Sequence, residues 1–307
     1  MLPRILLTAA VVIWGWTFVA TKILLAELGP IEILALRLAI GTPFLAVVLL
    51  ANRMPLGFAR ADLAPLVGGG VIFTLHFLVQ IAGLETTTAV NSGWLIALSP
   101  LALAVLSFLL LGERIGRRGV AGIFVATCGV LLLVSRGRIT DLGWLGSTGD
   151  WLVLLSAHTW ALYTVATRDL SRRRNPLAVT VAVLLIATAL TAIAFAVGGD
   201  VARVRALSPR GIAALLYLAI PGLALAQWFW QVGVAKLGAA RSGLFLYLEP
   251  IATLALAIPL LGEPFGPFGA FGGGLVLAGV WLGQRPARSA PRPLRTEPSP
   301  RAAIDEG

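Results

Sequence analysis

The stretch Ser92–Leu132 reads SGWLIALSPLALAVLSFLLLGERIGRRGVAGIFVATCGVLL, and 150 residues later Ser242–Leu282 reads SGLFLYLEPIATLALAIPLLGEPFGPFGAFGGGLVLAGVWL. The two align without a gap. Ser92, Gly93, Pro100, the run Leu110–Glu113, Gly116, Gly119, Gly122 and Gly129 all recur. Each copy is a pair of apolar runs joined at Leu-Gly-Glu, as Leu111–Glu113 and Leu261–Glu263. An α-helix rising about 1.5 Å per residue needs about 20 apolar residues to cross a hydrocarbon core of about 30 Å, so each run is long enough to span a bilayer. A membrane chain built from two related halves points to a pathway through the interface between them.

The rest of the chain continues in this manner. Its 307 residues are 58% hydrophobic and only 12% charged, with mean hydropathy +0.91. A soluble domain is nearer a quarter charged. The sequence divides into spans at 5–25, 31–51, 63–82, 89–111, 117–135, 149–168, 177–197, 211–234, 240–261 and 266–284. The expected fold is therefore all-α and integral to the membrane, with ten transmembrane helices. Residues 1–135 form a first five-helix repeat, 136–148 a connecting loop and 149–284 a second repeat. Residues 285–307, rich in Arg, Pro and Ser without apolar period, are expected to be a disordered cytoplasmic tail. An odd number of spans per half gives the halves opposite orientations.

Charge supports that arrangement. With both ends cytoplasmic, 17 Lys and Arg fall on the inside and 6 on the outside, and Arg37 lies within a span. This is the positive-inside bias of a multi-pass protein of a bacterial inner membrane, with lipid as its surroundings, and not a nucleic-acid footprint. The joints agree: GERIGRR (112–118) is expected inside, while its copy GEPFGPF (262–268) is expected outside and has lost the arginines. A second repeat, at offset 146, sets Val19–Lys22 (VATK) on Val165–Arg168 (VATR) and Trp14 on Trp160.

No Walker loop, HExxH, Cys/His cluster or Gly-x-Ser-x-Gly is present, so the chain carries no enzyme signature and no cofactor or metal is expected. Its chemistry lies in polar residues placed in apolar spans, which are costly unless they face a cavity or a partner. His76 and Gln80 stand four apart and share a helix face. His158 and Trp160 are in the sixth span, and Gln227 and Gln231 in the eighth. Pro100 and Pro250 are helix breaks at matching points of the fourth and ninth spans, where freed carbonyls need a protein or water-filled surrounding. Glu249 beside Pro250 has Ser99 as its counterpart, so duplication does not account for a carboxyl there. Glu249, His76 and His158 are the candidates for coupling transport to protons. Arg37 is expected to snorkel or to pair with Glu32. Glu113 and Glu263 are expected to accept from free N–H groups of the following helices.

WGWTFVATK (14–22), the arginine of ILALRLAIG (33–41), the LSP and LEP prolines, both LGE joints and the trailing G-x-x-x-G together resemble the EamA-type family of the drug/metabolite transporter superfamily, over about residues 5–284. The resemblance implies ten helices in an inverted repeat and export of small metabolites, amino acids and aromatic ones among them. It also implies a cavity among the first, third, fourth, sixth, eighth and ninth helices. Here that cavity would hold Trp14, Phe18, His76, Gln80, Trp94, Trp160, Tyr163, Trp228 and Tyr247 as substrate-binding residues. The expected function is a secondary transporter, not an enzyme, that exports small molecules by alternating access. A passive channel and, further off, a membrane-embedded enzyme are the alternatives.

Overall fold

A computed structural model describes residues 1–113, 116–135, 146–262 and 266–284. All regular secondary structure among those residues is helical, in the order α1 (Leu2–Leu25), α2 (Pro30–Ala51), α3 (Arg60–Thr86), α4 (Ala89–Ile96), α5 (Ser99–Leu111), α6 (Arg117–Val134), α7 (Thr148–Arg173), α8 (Pro176–Gly198), α9 (Val201–Arg205), α10 (Pro209–Tyr217), α11 (Ala226–Leu237), α12 (Ala239–Gly243), α13 (Glu249–Leu261) and α14 (Pro267–Gln284). A π-helical segment, Leu218–Leu225, joins α10 to α11, and a 3-10 segment, Leu244–Leu248, joins α12 to α13. Most of the connecting loop, Glu263 and the tail 285–307 lie outside the described residues.

Seven helical runs are long and apolar enough to cross a membrane, counting α4–α5, α10–α11 and α12–α13 as single runs. Of the other three long helices, α14 is a shorter apolar helix, and the middle of α7 carries the polar Ser156, His158, Thr159 and Thr164. The outward surface is apolar: Val47, Leu109, Phe124, Ile193, Val197 and Phe271 are exposed, as suits a lipid-facing wall.

Starts and stops follow from side-chain chemistry. Pro30, Pro176 and Pro209 open their helices, where a missing N–H costs nothing. Ser147 and Asp150 form a reciprocal cap on α7. The repeated glycine of Leu-Gly-Glu ends α5 and α13 in the same way. Gly112 (φ 64°) and Gly262 (φ 65°) both take the left-handed conformation that lets a residue without Cβ close the last turn.

Both proline sites are breaks, but tight ones. Pro100 and Pro250 occupy the first turn of α5 and α13. Ahead of Pro100, N–H groups bond three residues back, Ala97 to Trp94 O (3.1 Å) and Leu98 to Leu95 O (3.1 Å). Ahead of Pro250 the chain runs through the 3-10 segment. A third irregularity, the π segment around Pro221, has no counterpart in the sequence reading.

Small residues bring the helices together. A Cβ on Gly122 of α6 would lie 2.6 Å from Gly279 O of α14, and one on Gly279 would lie 2.6 Å from Gly122 O. Gly129 meets Gly272 O at 2.7 Å by the same measure. Gly122 corresponds to Gly272 in the repeat and Gly129 to Gly279, so the contact is reciprocal and antiparallel. Gly15 of α1 is seated equally tightly: a Cβ added there would lie 2.6 Å from Glu249 O at the start of α13. Any larger residue would force these helices apart.

Candidate substrate cavity

Two tryptophans at matching positions of the sequence repeat meet in the middle of the bundle. Trp14 of α1 and Trp160 of α7 stand edge to face, 5.0 Å between centroids and 84° between planes. Trp230 of α11 joins them at 5.4 Å from Trp14 and 5.7 Å from Trp160. Beside this cluster is a tight cavity of about 30 Å³, bordered by Trp14, Thr17, His76, Phe77, Gln80, Ile96, Trp160, Leu246 and Glu249. That is room for about one or two waters, so a larger molecule enters only if the surrounding helices part.

The two tight breaks deliver part of this wall. Ile96 ends α4, Leu246 lies in the 3-10 segment and Glu249 is the first residue of α13. Glu249 is 4% exposed. Its side chain makes no hydrogen bond or ion pair with any described residue, so its carboxyl has only the cavity to turn to. Its main chain is fixed: the Thr253 hydroxyl lies 3.0 Å from both Glu249 O and Gly15 O. Ser99, at the equivalent point of α5, is also buried and its hydroxyl has no partner.

Polar groups around the cavity are held from behind. Trp14 Nε1 donates to Gly222 O (3.0 Å), in the π segment. His76 Nδ1 lies 2.9 Å from Ser156 O. A carbonyl only accepts, so the proton is on Nδ1, and in the neutral ring Nε2 is the remaining acceptor. His76 also packs on Trp160 at 5.1 Å. Trp160 Nε1 is buried with no partner.

Tyr163 stands one shell further out. It packs on Trp160 at 5.3 Å, and its hydroxyl accepts from Gln227 Nε2 (2.8 Å) and Gln231 Nε2 (2.6 Å). Gln231 Oε1 accepts from Ser171 (2.9 Å). The two glutamines therefore tie α11 to α7 instead of lining the cavity.

Of the residues singled out from sequence, Trp14, His76, Gln80, Trp160 and Glu249 come together. Tyr163 backs them. Phe18 packs beside Ile96 in a separate apolar cluster. Trp94 and Tyr247 belong to another, with Ile123, Val130 and Val276, where Tyr247 shares a 2.9 Å hydroxyl contact with Thr127. Trp228 is only partly buried and lies against Phe229. His158 is exposed on the outer face of α7 and bonds back to Leu154 O (2.9 Å). Thr17, Phe77, Ile96 and Leu246 complete the wall without a signal of their own, since such residues fill any apolar helix.

Two further expectations are corrected by the structure. Arg37 does not pair with Glu32, whose carboxylate accepts from Asp200 N (2.9 Å); Arg37 is buried instead, its Cζ 4.5 Å above the Phe77 ring. Glu113 does not cap the helix that follows it. It reaches Arg168 Nη2 (2.6 Å) and accepts from Ala240 N (3.1 Å) at the start of α12. Among the described residues no group of three or more His, Cys, Asp or Glu could hold a metal.

The model of the EamA-like transporter family matches this chain twice, over residues 2–135 and 147–283. An uncharacterized transporter of Archaeoglobus fulgidus is 30% identical over 282 residues, 91% of this chain and 96% of its own length. A protein of Streptantibioticus cattleyicolor named "probable terminal-alkyne amino-acid exporter" is 28% identical, covering 90% of this chain and 91% of itself. A solved crystal structure shares the fold with a TM-score of 0.73 at 19% identity, over 92% of this chain and 96% of that one.

Proposed function

The chain belongs to the EamA-like transporter family, and from that premise we propose that it is a secondary exporter of amino acids or related small metabolites. It works by alternating access of two inverted five-helix halves, residues 1–135 and 149–284, in a bacterial inner membrane with both ends in the cytoplasm. The observation that carries this reading is the cavity itself. It lies where α1, α3 and α7 meet both helix breaks, with an unpartnered carboxyl among aromatic rings. Indole faces suit an apolar side chain, and Glu249, Gln80 and the free Trp160 N–H suit polar groups.

Other features fit the same reading. The reciprocal glycine contact between α6 and α14 is what a two-fold relation between halves produces. The Glu113–Arg168 contact would close the cytoplasmic side. The named exporter of Streptantibioticus cattleyicolor supports an amino acid as cargo. Without a nucleotide motif, the gradient of substrate or of protons supplies the work, and Glu249 is the residue placed to carry a proton.

The test is counterflow in proteoliposomes. Internal unlabelled amino acid should accelerate entry of the labelled one, and the rate should saturate. Linear flux without counterflow would make the protein a channel. Chemical conversion of the added compound would make it an enzyme.

A further inference from the structure

Arg37 is a buried cation without a counter-ion. It lies in α2 at 2% exposure, among the largest fully buried side chains. No described residue accepts a hydrogen bond from it, and its Nε is buried without a partner. The acid on its own helix, Glu32, is committed to Asp200 N. The other arginines described near carboxylates are paired: Arg168 with Glu113, Arg174 with Asp62 and Arg203 with Asp200. The guanidinium of Arg37 has only the face of Phe77, 4.5 Å away. A contact with one phenyl ring returns less than the burial of an unpaired charge costs, so this arrangement lacks an anion.

The position says where that anion comes from. Phe77, which carries Arg37 on its ring, borders the substrate cavity. The same cavity receives Glu249, a buried carboxyl that also lacks a partner. The apolar rings of Trp14 and Trp160 border the same cavity as Phe77 and Glu249. An α-amino acid carries the complementary set: carboxylate, ammonium and side chain.

We propose that Arg37 is the carboxylate-recognising residue of this transporter, with Glu249 facing the ammonium group and the paired indoles facing the side chain. The inference rests on the reading of the chain as an amino-acid exporter. A guanidinium presents two parallel N–H donors that match both oxygens of a carboxylate, which a lysine cannot do. Arg37 itself does not line the cavity; Phe77, which touches both, separates them, so the assignment requires the Phe77 ring to turn aside when the ligand binds.

The experiment uses purified full-length protein in detergent and measures binding by thermal shift. The probes are leucine, phenylalanine and tryptophan, the amide and the decarboxylated amine of each, and 3-phenylpropionate. Wild type should prefer the best free amino acid over its amide by at least tenfold. Arg37→Gln should bring that ratio to within twofold of unity while leaving amine binding within twofold of wild type. Arg37→Lys, which keeps the charge, should retain part of the preference and covers the case in which Arg37→Gln fails to fold. Equal binding of acid and amide to wild type would overturn the assignment, as would an undiminished preference in a folded Arg37→Gln protein. If no amino acid binds but 3-phenylpropionate does, and Arg37 variants lose it, the carboxylate site stands and the amino-acid reading falls. If neither binds, both fall.

Discussion

Trp14 and Trp160, 146 residues apart in the chain and matched in its internal repeat, touch edge to face at 5.0 Å in the centre of the bundle. Two copies of one motif thus build a single wall, which neither half could make alone. Offset or edge-on aromatic pairs contribute about 0.5–1.5 kcal/mol beyond simple burial, so the pair also fixes how α1 sits against α7.

Shortening that wall should weaken ligand binding. Under the proposed function, Trp160→Ala is expected to lower affinity for the bound small molecule at least tenfold, and Trp160→Phe to lower it less. Isothermal calorimetry on protein that elutes as a single folded peak measures this. Unchanged affinity in folded Trp160→Ala would remove the indole from the site.

Glu249→Gln keeps size and hydrogen bonding but cannot titrate. In proteoliposomes with an imposed pH gradient, net export should be lost while substrate exchange, which moves no net proton, persists. Wild-type export with intact pH dependence would exclude Glu249 as the proton carrier. His76 would then be the remaining candidate at the cavity, since His158 faces away from it.

Helix packing through glycine should be unforgiving. Gly122→Val pushes a branched side chain into the backbone of Gly279 and Gly283. Overpacking of this kind costs about 1–3 kcal/mol, and here the obstacle is main chain, which cannot rotate away. Folded yield by fluorescence size exclusion should fall severalfold for Gly122→Val and for Gly279→Val alike. Gly273→Val, with open space around the added Cβ, should leave yield unchanged.

Topology is testable with two cysteines in a Cys128→Ser background. Ala202 in α9 and Arg172 near the end of α7 are both exposed. An impermeant maleimide should label Ala202→Cys in intact cells and Arg172→Cys only after lysis. The reverse pattern would invert the orientation.

One joint should respond to acid. In the loop between α1 and α2, Glu27 accepts from Ser208 N (2.7 Å) and Ser208 Oγ (2.7 Å), which holds its pKa below the usual carboxylate range. A depressed folded pKa contributes stability that is present above the unfolded value and lost as pH falls through the folded one. The melting-temperature gap between wild type and Glu27→Gln should therefore be widest above pH 5 and close as the pH drops below about 4. A constant gap would assign the effect to packing.

The sequence alone determined the membrane class, the repeat, the breaks at Pro100 and Pro250 and the glycine that ends α5 and α13. These depend on apolar length, on a ring without an N–H and on a residue without Cβ, all of which are local. It also marked Trp14, His76, Gln80, Trp160 and Glu249, because a polar or aromatic residue inside an apolar span stands out. Even the displacement of His158 was legible in principle: residues two apart on a helix point about 200° apart, so His158 and Trp160 cannot share a face. What only the tertiary structure decided was partnership. Gln227 and Gln231 turn to Tyr163, Glu32 turns to Asp200 and not to Arg37, and Glu113 crosses to Arg168 and Ala240. Each carboxylate or amide could have met several donors, and which one it meets depends on how helices distant in sequence cross. Arg37 is left facing Phe77 for the same reason: the fold assigned its expected partner elsewhere.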